Sequence, residues 1–574
     1  MSKIKLPILL NILLIPAALF LVFSIIFYKD NKKFTVFTHQ MFLEEVTNNT
    51  LNLHYTLHDP QAYGIEDYSI TLGSADIEAL VVGTAALENY KKVLEKIPHK
   101  NLSRNNKLTY DILSLYLNQQ AEGKDFVLFA EPLGPTIGVQ AQLPVLLAEY
   151  TFSDMEDVRE YMILISQMDR YYTSIIDFEK AKSEAGLFMS DQAADHIISQ
   201  CKSFNSTSTE NLLIPIFEEK IDQLQTLSGV QKKAVKEKHR TLIADHVIPA
   251  YQILIDGLST LKGTGVNLGG LSNFEHGKDF YEYLVKGNTG CYDSISTIEK
   301  RIQKQLMTDF RELQEVARQH PALLQSNDKS IMKETTPGAI LAELQAKIAT
   351  DFPAPPNVSY EVKYVPKSLE PFLSPAFYLT PPLDNLSQNV IYINQASDYT
   401  PLELYTTLAH EGYPGHLYQT VYSGSTPSNE VRSLLNFSGY IEGWATYVEM
   451  YSYSLADVAP EAASLHRLNR SIILGVSSLL DIAIHYHGYS REEVADYLSQ
   501  IGFRDSATAG SLYDTILEAP ANYLKYYVGC LCFMDLRDAV KEASGKDFVL
   551  KDFHKEVLEI GPAPFPILYE RLLP

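Results

Sequence analysis

From Leu6 to Tyr28 the chain runs 23 residues without a charge, and Asn11 and Ser24 are the most polar among them. About 20 apolar residues span the hydrocarbon core of a bilayer as a helix, so this run has a membrane as its natural surrounding. A cleavable signal has an apolar stretch of roughly 7–15 residues before a small-x-small site. This run is longer and ends in Phe27-Tyr28, so residues 1–30 read as a retained signal anchor, a transmembrane helix, in preference to a removed signal peptide. No cysteine lies nearby, which argues against a lipid-linked anchor. Lysines flank both sides (Lys3 and Lys5 before; Lys29, Lys32 and Lys33 after), so the positive-inside rule decides little. Export of the long remainder is the usual arrangement for a single amino-terminal anchor, which places the main body outside the cytoplasm.

That remainder has the make-up of a folded protein. Of 574 residues, 46% are hydrophobic and 21% charged, enough for two to four domains or one large helical superdomain. The net charge of −22 argues against nucleic acid or an anionic membrane surface as a partner. The four cysteines, Cys201, Cys291, Cys530 and Cys532, have no Cys-x-x-Cys spacing, so no zinc knuckle or thioredoxin-like site is indicated. Their pairing stays open.

Residues 31–335 read as a helical region. In "MEDVREYMILISQMDRYYTSIIDFEKAKSEAG" and "DSISTIEKRIQKQLMTDFRELQEVARQH" apolar residues recur three and four apart. A polar stretch, "QSNDKSIMKETTPG", ends it. In 336–574 the pattern first turns to strands: "VSYEVKYV" (358–365), "AFYLT" (376–380) and "NVIYIN" (389–394). Helices resume at Pro401. The fold class expected is mainly α, with a small sheet just ahead of the segment that carries the chemistry.

That segment is "LAHEGYPGH", 408–416. Thr400-Pro401-Leu402-Glu403 starts its helix strongly, with an N-cap threonine, proline in the first position and a capping-box glutamate. Pro414 then stands four residues after His410, where its ring meets the His410 carbonyl, so regular helix must open between them. On an unbroken helix the six-residue step from His410 to His416 turns about 240°, and the imidazoles diverge. If two residues bulge out, both rings share a face, and Gly412 and Gly415 tolerate such a backbone. The stretch is compatible with a metal pair only because it breaks the helix; a surface turn that merely contains histidines is the other reading. A second stretch, "SGYIEGWATYVEMY" (438–451), favours the metal. It sets Glu442 and Glu449 seven apart on one face, beside the sole tryptophan, Trp444. Zinc hydrolases combine two histidines with a carboxylate and leave one position open. Glu442 is the candidate third ligand, and Glu449 the candidate that orients an imidazole from behind.

With His-Glu-Gly-x-Pro-Gly-His at 410–416, Glu-Gly-Trp-Ala at 442–445 and Glu449, the chain resembles the bacterial "domain of unknown function 885" family, which looks zincin-like. "LPVLLAEYTFSDMEDVREYM", "DIAIHYHGYSREEVADYL" and "DFHKEVLEIGPAPFPIL" extend the likeness over nearly everything after the anchor. The resemblance implies an extracytoplasmic, mostly helical, metal-dependent hydrolase that acts on peptides. It also carries over Asp481 with His485, and the pattern of Pro520, Tyr526 and Gly529. Ala521 and Asn522 stand where the family has glycine and glutamine, which puts any contact of that amide in doubt. Tyr526 and a protonated His485 are then candidates to stabilise a developing oxyanion.

The chemistry expected is hydrolysis at a Zn2+ held by His410, His416 and Glu442, with Glu411 moving the proton. The strand "NVIYIN" is expected to pair with an extended peptide. A hydrolase of a non-peptide amide or ester would use the same residues. A tethered binding protein with a structural metal would instead hold it through four protein ligands.

Overall fold

The computed structural model describes residues 6–135, 138–206, 211–267, 269–324, 336–365, 367, 370 and 374–573, the backbone alone for 6–25 and 324. The first helix is continuous from Leu6 to Val46. Its later turns bury Phe34, Met41 and Phe42 in the protein core. Of the expected anchor's apolar side chains only Ile26, Phe27 and Tyr28 are described, all three exposed; those of 6–25 lie outside the described residues. One described helix, Pro460–His487, is long and apolar enough to cross a membrane, but 72% of its apolar window is buried inside the protein. It is a core helix.

Most of the chain is helical, and two apolar cores hold the helices together. One core joins Phe34, Tyr281 and Ile302 to Leu402, Trp444, Leu480 and Phe533, so early and late residues share it. The other gathers Leu147, Tyr161, Phe217 and Tyr251, and sheet residues Val365 and Tyr392 cap it. At about 25 cal/mol per Å² of apolar surface removed from water, such cores dominate the favourable side of folding.

The small sheet sits between them. Its strands are β1 (Tyr360–Tyr364), β2 (Ala376–Leu379) and β3 (Asn389–Ile393), in the order β1-β3-β2. β1 runs parallel to β3, and β2 antiparallel to it with Tyr378 opposite Ile391. β3 is therefore the middle strand. The expectation that residues 389–394 offer a free edge to a peptide is corrected: β3 has neighbours on both sides, and Ile391, Tyr392 and Ile393 are buried in succession on both faces. The free edge nearest the histidines belongs to β2.

Candidate functional site

The helix Pro401–Glu411 starts as its sequence dictates. Thr400 Oγ1 accepts the Glu403 N–H at 3.3 Å, and the Thr400 N–H donates to Glu403 Oε2 at 2.8 Å. The helix ends at Glu411, and a second begins at His416 and runs to Gly424. Between them the chain makes a tight turn with a cis Tyr413–Pro414 peptide. A Cβ on residue 415 would lie 1.8 Å from the His410 carbonyl oxygen, so only glycine permits this approach. The Trp444 indole N–H donates to the Pro414 carbonyl at 2.9 Å and ties the turn to the next helix. The two imidazoles consequently converge, with ring centroids 4.8 Å apart at 85°.

Helix Ser438–Ser452 supplies the carboxylates. Glu442 Oε2 lies 3.7 Å from His410 Nε2 and 3.4 Å from His416 Nε2. Tetrahedral zinc with ligand bonds of about 2.0–2.1 Å separates its ligand atoms by about 3.3–3.4 Å, so this donor set fits the ion closely. One turn pair further along, Glu449 Oε2 accepts the His410 Nδ1–H at 3.1 Å, which leaves Nε2 to face Glu442. Arg470 Nε donates to Glu449 Oε1 at 2.7 Å. Burial pushes the Glu449 carboxyl up, but the Arg470 charge and the His410 bond outweigh it and hold its pKa at about 2. For Glu442 burial is likewise outweighed, here by hydrogen bonds from both imidazoles, and its carboxyl is held well below the usual range.

Glu411 also approaches the pair: one ligand-type atom from each of His410, Glu411 and His416 lies within 4.8 Å of the others. Of the two carboxylates, Glu442 is the better third ligand, because one of its oxygens is close to both Nε2 atoms. Glu411 Oε2 instead accepts the Tyr378 N–H of β2 at 2.9 Å. Burial raises the Glu411 pKa, only partly offset by the histidines. Burial thereby makes Glu411 a stronger base than a solvated carboxylate.

Tyr526 comes from helix Asn522–Ser544, which touches helix Ser438–Ser452 backbone to backbone. A Cβ on Gly443 would lie 2.5 Å from the Gly529 carbonyl carbon, and one on Gly529 would lie 2.3 Å from the Gly439 oxygen. This glycine contact brings the Tyr526 hydroxyl within hydrogen-bonding reach of Glu442, and burial keeps the phenol protonated. A cleft of about 830 Å³ opens over the cluster, lined among others by Phe377, Tyr399, Glu411, Arg470 and Tyr526.

His485 is not part of this cluster. Its helix ends in a π turn, Ala483–His487, so residues four apart lose the common face they have in an α-helix. Asp481 accepts from the Tyr281 hydroxyl at 2.6 Å and the Ala521 N–H at 3.0 Å, not from His485. His485 Nε2 pairs with the Ile516 carbonyl at 3.0 Å, and burial lowers its pKa to about 4. It is neutral and lines a neighbouring cavity, so the expected protonated oxyanion donor is corrected to a wall residue. Ala521, where the family has glycine, sits at φ +61, the left-handed region in which glycine is at home.

Sequence reasoning missed Arg470, Lys525 and the Tyr378 N–H. Arg470 had a signal: a buried Glu449 needs a cation, and "RLNRSIILG" places one on an apolar helix. A backbone N–H has none.

The chain matches the family model "Bacterial protein of unknown function (DUF885)" over residues 62–572. No curated protein matches it. Among solved structures it is similar to a candidate lipoprotein from Colwellia psychrerythraea, with a TM-score of 0.84 at 19% identity, covering 95% of this chain and 98% of the other. A candidate lipoprotein of unknown function from Shewanella oneidensis has a TM-score of 0.67 at 17% identity, covering 93% and 98%. At such identities the likeness is one of fold, and the family match over most of the chain carries the assignment: this protein belongs to the bacterial DUF885 family.

Proposed function

We propose that the chain is a zinc-dependent hydrolase that cleaves peptide bonds with water. The observation that carries this reading is the meeting of His410 Nε2, His416 Nε2 and Glu442 Oε2 at 3.4–3.7 Å, with the buried carboxyl of Glu411 beside them in an open cleft. A zinc ion held by these three residues would polarise a carbonyl and bring the pKa of water to about 7. Glu411, its Oε2 fixed by Tyr378, takes the proton of the attacking water and hands it to the leaving amine. The Tyr526 hydroxyl donates a hydrogen bond to the oxygen on which charge develops. Glu449 fixes the His410 ring, and Arg470 keeps Glu449 ionised. An extended substrate lies beside β2, whose Ala376, Phe377 and Tyr378 line the cleft.

In this reading the body lies outside the cytoplasm and the apolar run Leu6–Tyr28 anchors it; the candidate-lipoprotein relatives support a membrane-associated, extracytoplasmic location. The test is cleavage of a peptide library before and after exhaustive chelation. Metal-restorable cleavage is expected, and a library left intact by the zinc-loaded protein would refute the reading.

A further inference from the structure

A second cavity, of about 390 Å³, adjoins the cleft and shares Asn522 with it. Its walls are mainly apolar, with Phe129, Leu133, Phe188, Leu271, Phe274 and Phe280, and the two carboxylates that also line it, Glu131 and Glu518, are paired with Lys182 and His196. Neutral His485 closes one side. One cation also lines it, Lys525, one residue before Tyr526 on the same helix. The Lys525 side chain is 18% exposed, and its ammonium lies 4.0 Å from Glu442 Oε1. Among the described residues Glu442 is the one carboxylate within that distance, and no hydrogen bond engages the ammonium. If Glu442 serves the metal, this mostly buried charge keeps only the face of the Tyr526 ring, 5.0 Å from the ammonium, as a partner.

We infer that the cavity receives the residue on the leaving side of the scissile bond, that this residue is large and apolar, and that Lys525 pairs with its free carboxylate. The substrate class is then a peptide or N-acyl amino acid ending in an apolar residue. The geometry agrees in scale. Consecutive Cα atoms are about 3.8 Å apart, so a terminal carboxylate lies one residue from the bond that breaks. Lys525 stands one carboxylate group away from the histidine pair. An apolar wall gives affinity in proportion to the area it covers, and a single charge at the mouth fixes orientation. In the cleavage itself the amide C–N bond breaks, the carbonyl carbon gains the water's hydroxyl, and the leaving nitrogen gains its proton. The released product is a free apolar amino acid. This inference rests on the hydrolase reading for its chemistry, but binding tests it separately.

The experiment is calorimetry of the full-length zinc-loaded protein, carrying Glu411→Gln throughout so that the probes bind without turnover, with N-acetyl-phenylalanine, N-acetyl-phenylalanine amide and N-acetyl-alanine. The free acid is expected to bind roughly tenfold or more tightly than the amide, as a charge-assisted bond allows. Lys525→Met, which keeps the length of the side chain, is expected to abolish that preference. Leu284→Trp, which fills the cavity, is expected to weaken the phenylalanyl ligand and spare the alanyl one. Equal binding of acid and amide, or a preference that survives in Lys525→Met, would overturn the inference. In parallel, hydrolysis of a dipeptide with a free or amidated carboxy terminus is measured. Retained acid preference with no hydrolysis would count against the hydrolase reading alone, and equal cleavage of both forms would count against the carboxylate site alone.

Discussion

Gly529→Ala is the sharpest perturbation of the geometry behind the site. The new Cβ would lie 2.3 Å from the Gly439 carbonyl oxygen and 2.8 Å from the Gly443 Cα, both of them backbone atoms that no rotamer change can move. Ordinary carbon–oxygen contact begins near ~3.4 Å, so the helices must part by about 1 Å. Overpacking of this kind costs about 1–3 kcal/mol. Helix Ser438–Ser452 is held in place by the Trp444–Pro414 bond, so helix Asn522–Ser544 takes most of the shift and carries Tyr526 away from Glu442. A displacement of about 1 Å at a positioned group costs on the order of 10²-fold in rate. The assay is urea unfolding followed by the buried Trp444 fluorescence, with zinc content and peptide hydrolysis on the same samples. Lower stability, unchanged zinc and a rate reduced about 100-fold are expected. Gly338→Ala is the control: it is exposed on a helix and no atom lies within 4 Å of its added Cβ, so it should be neutral or slightly stabilising. Wild-type stability and rate in Gly529→Ala would refute the claim that the glycine contact sets the Tyr526–Glu442 distance.

Glu411→Gln should keep stoichiometric zinc while hydrolysis falls by roughly 10²–10⁴-fold or more, since in the proposed mechanism one residue serves both proton transfers; loss of the zinc would make Glu411 a ligand instead. Glu449→Gln removes the charge that orients His410 and leaves Arg470 unpaired, so zinc affinity measured against a competing chelator should drop about 10–100-fold. Burial raises the Asp481 pKa from 3.8 to about 7. The folded state therefore holds a proton that the unfolded state releases above pH ~4, and this carboxyl subtracts stability as pH rises from about 4 to about 7, with no further change above. Holding this carboxyl at about 7 against 3.8 in the unfolded chain is worth a few kcal/mol, so Asp481→Asn should lose this part of the pH dependence of the unfolding midpoint; parallel curves for the two proteins would contradict it.

The capping box at Thr400 and the break enforced by Pro414 were legible because each is local: a side chain reaching a nearby N–H, and a ring meeting a carbonyl four residues back. The convergence of Glu442 with the histidines was legible in part, since Glu442 and Glu449 share one helical face. The strand "NVIYIN" was misread as free to pair with a peptide, although "NVIYI" carried the signal of its true place. A short unbroken apolar run marks a strand covered on both faces, hence a middle strand. His485 was misplaced because its pairing with Asp481, carried over from the family resemblance, needs a regular α-helical turn, whereas residues 483–487 widen to a π turn that no residue type announces. The glycine contact at Gly443 and Gly529 and the cavity behind Lys525 join segments some 80 to 400 positions apart, and composition and periodicity do not encode such pairings.

The measurement that bears most directly on the account is the number of zinc ions bound per chain, read by native mass spectrometry of the wild type and of His416→Ala after equal zinc loading. One ion in the wild type and none in the variant is the expected result, because removal of one of three protein ligands leaves two that cannot hold the ion against a chelator wash. Equal zinc in both proteins, or none in either, would contradict a metal centre at His410, His416 and Glu442.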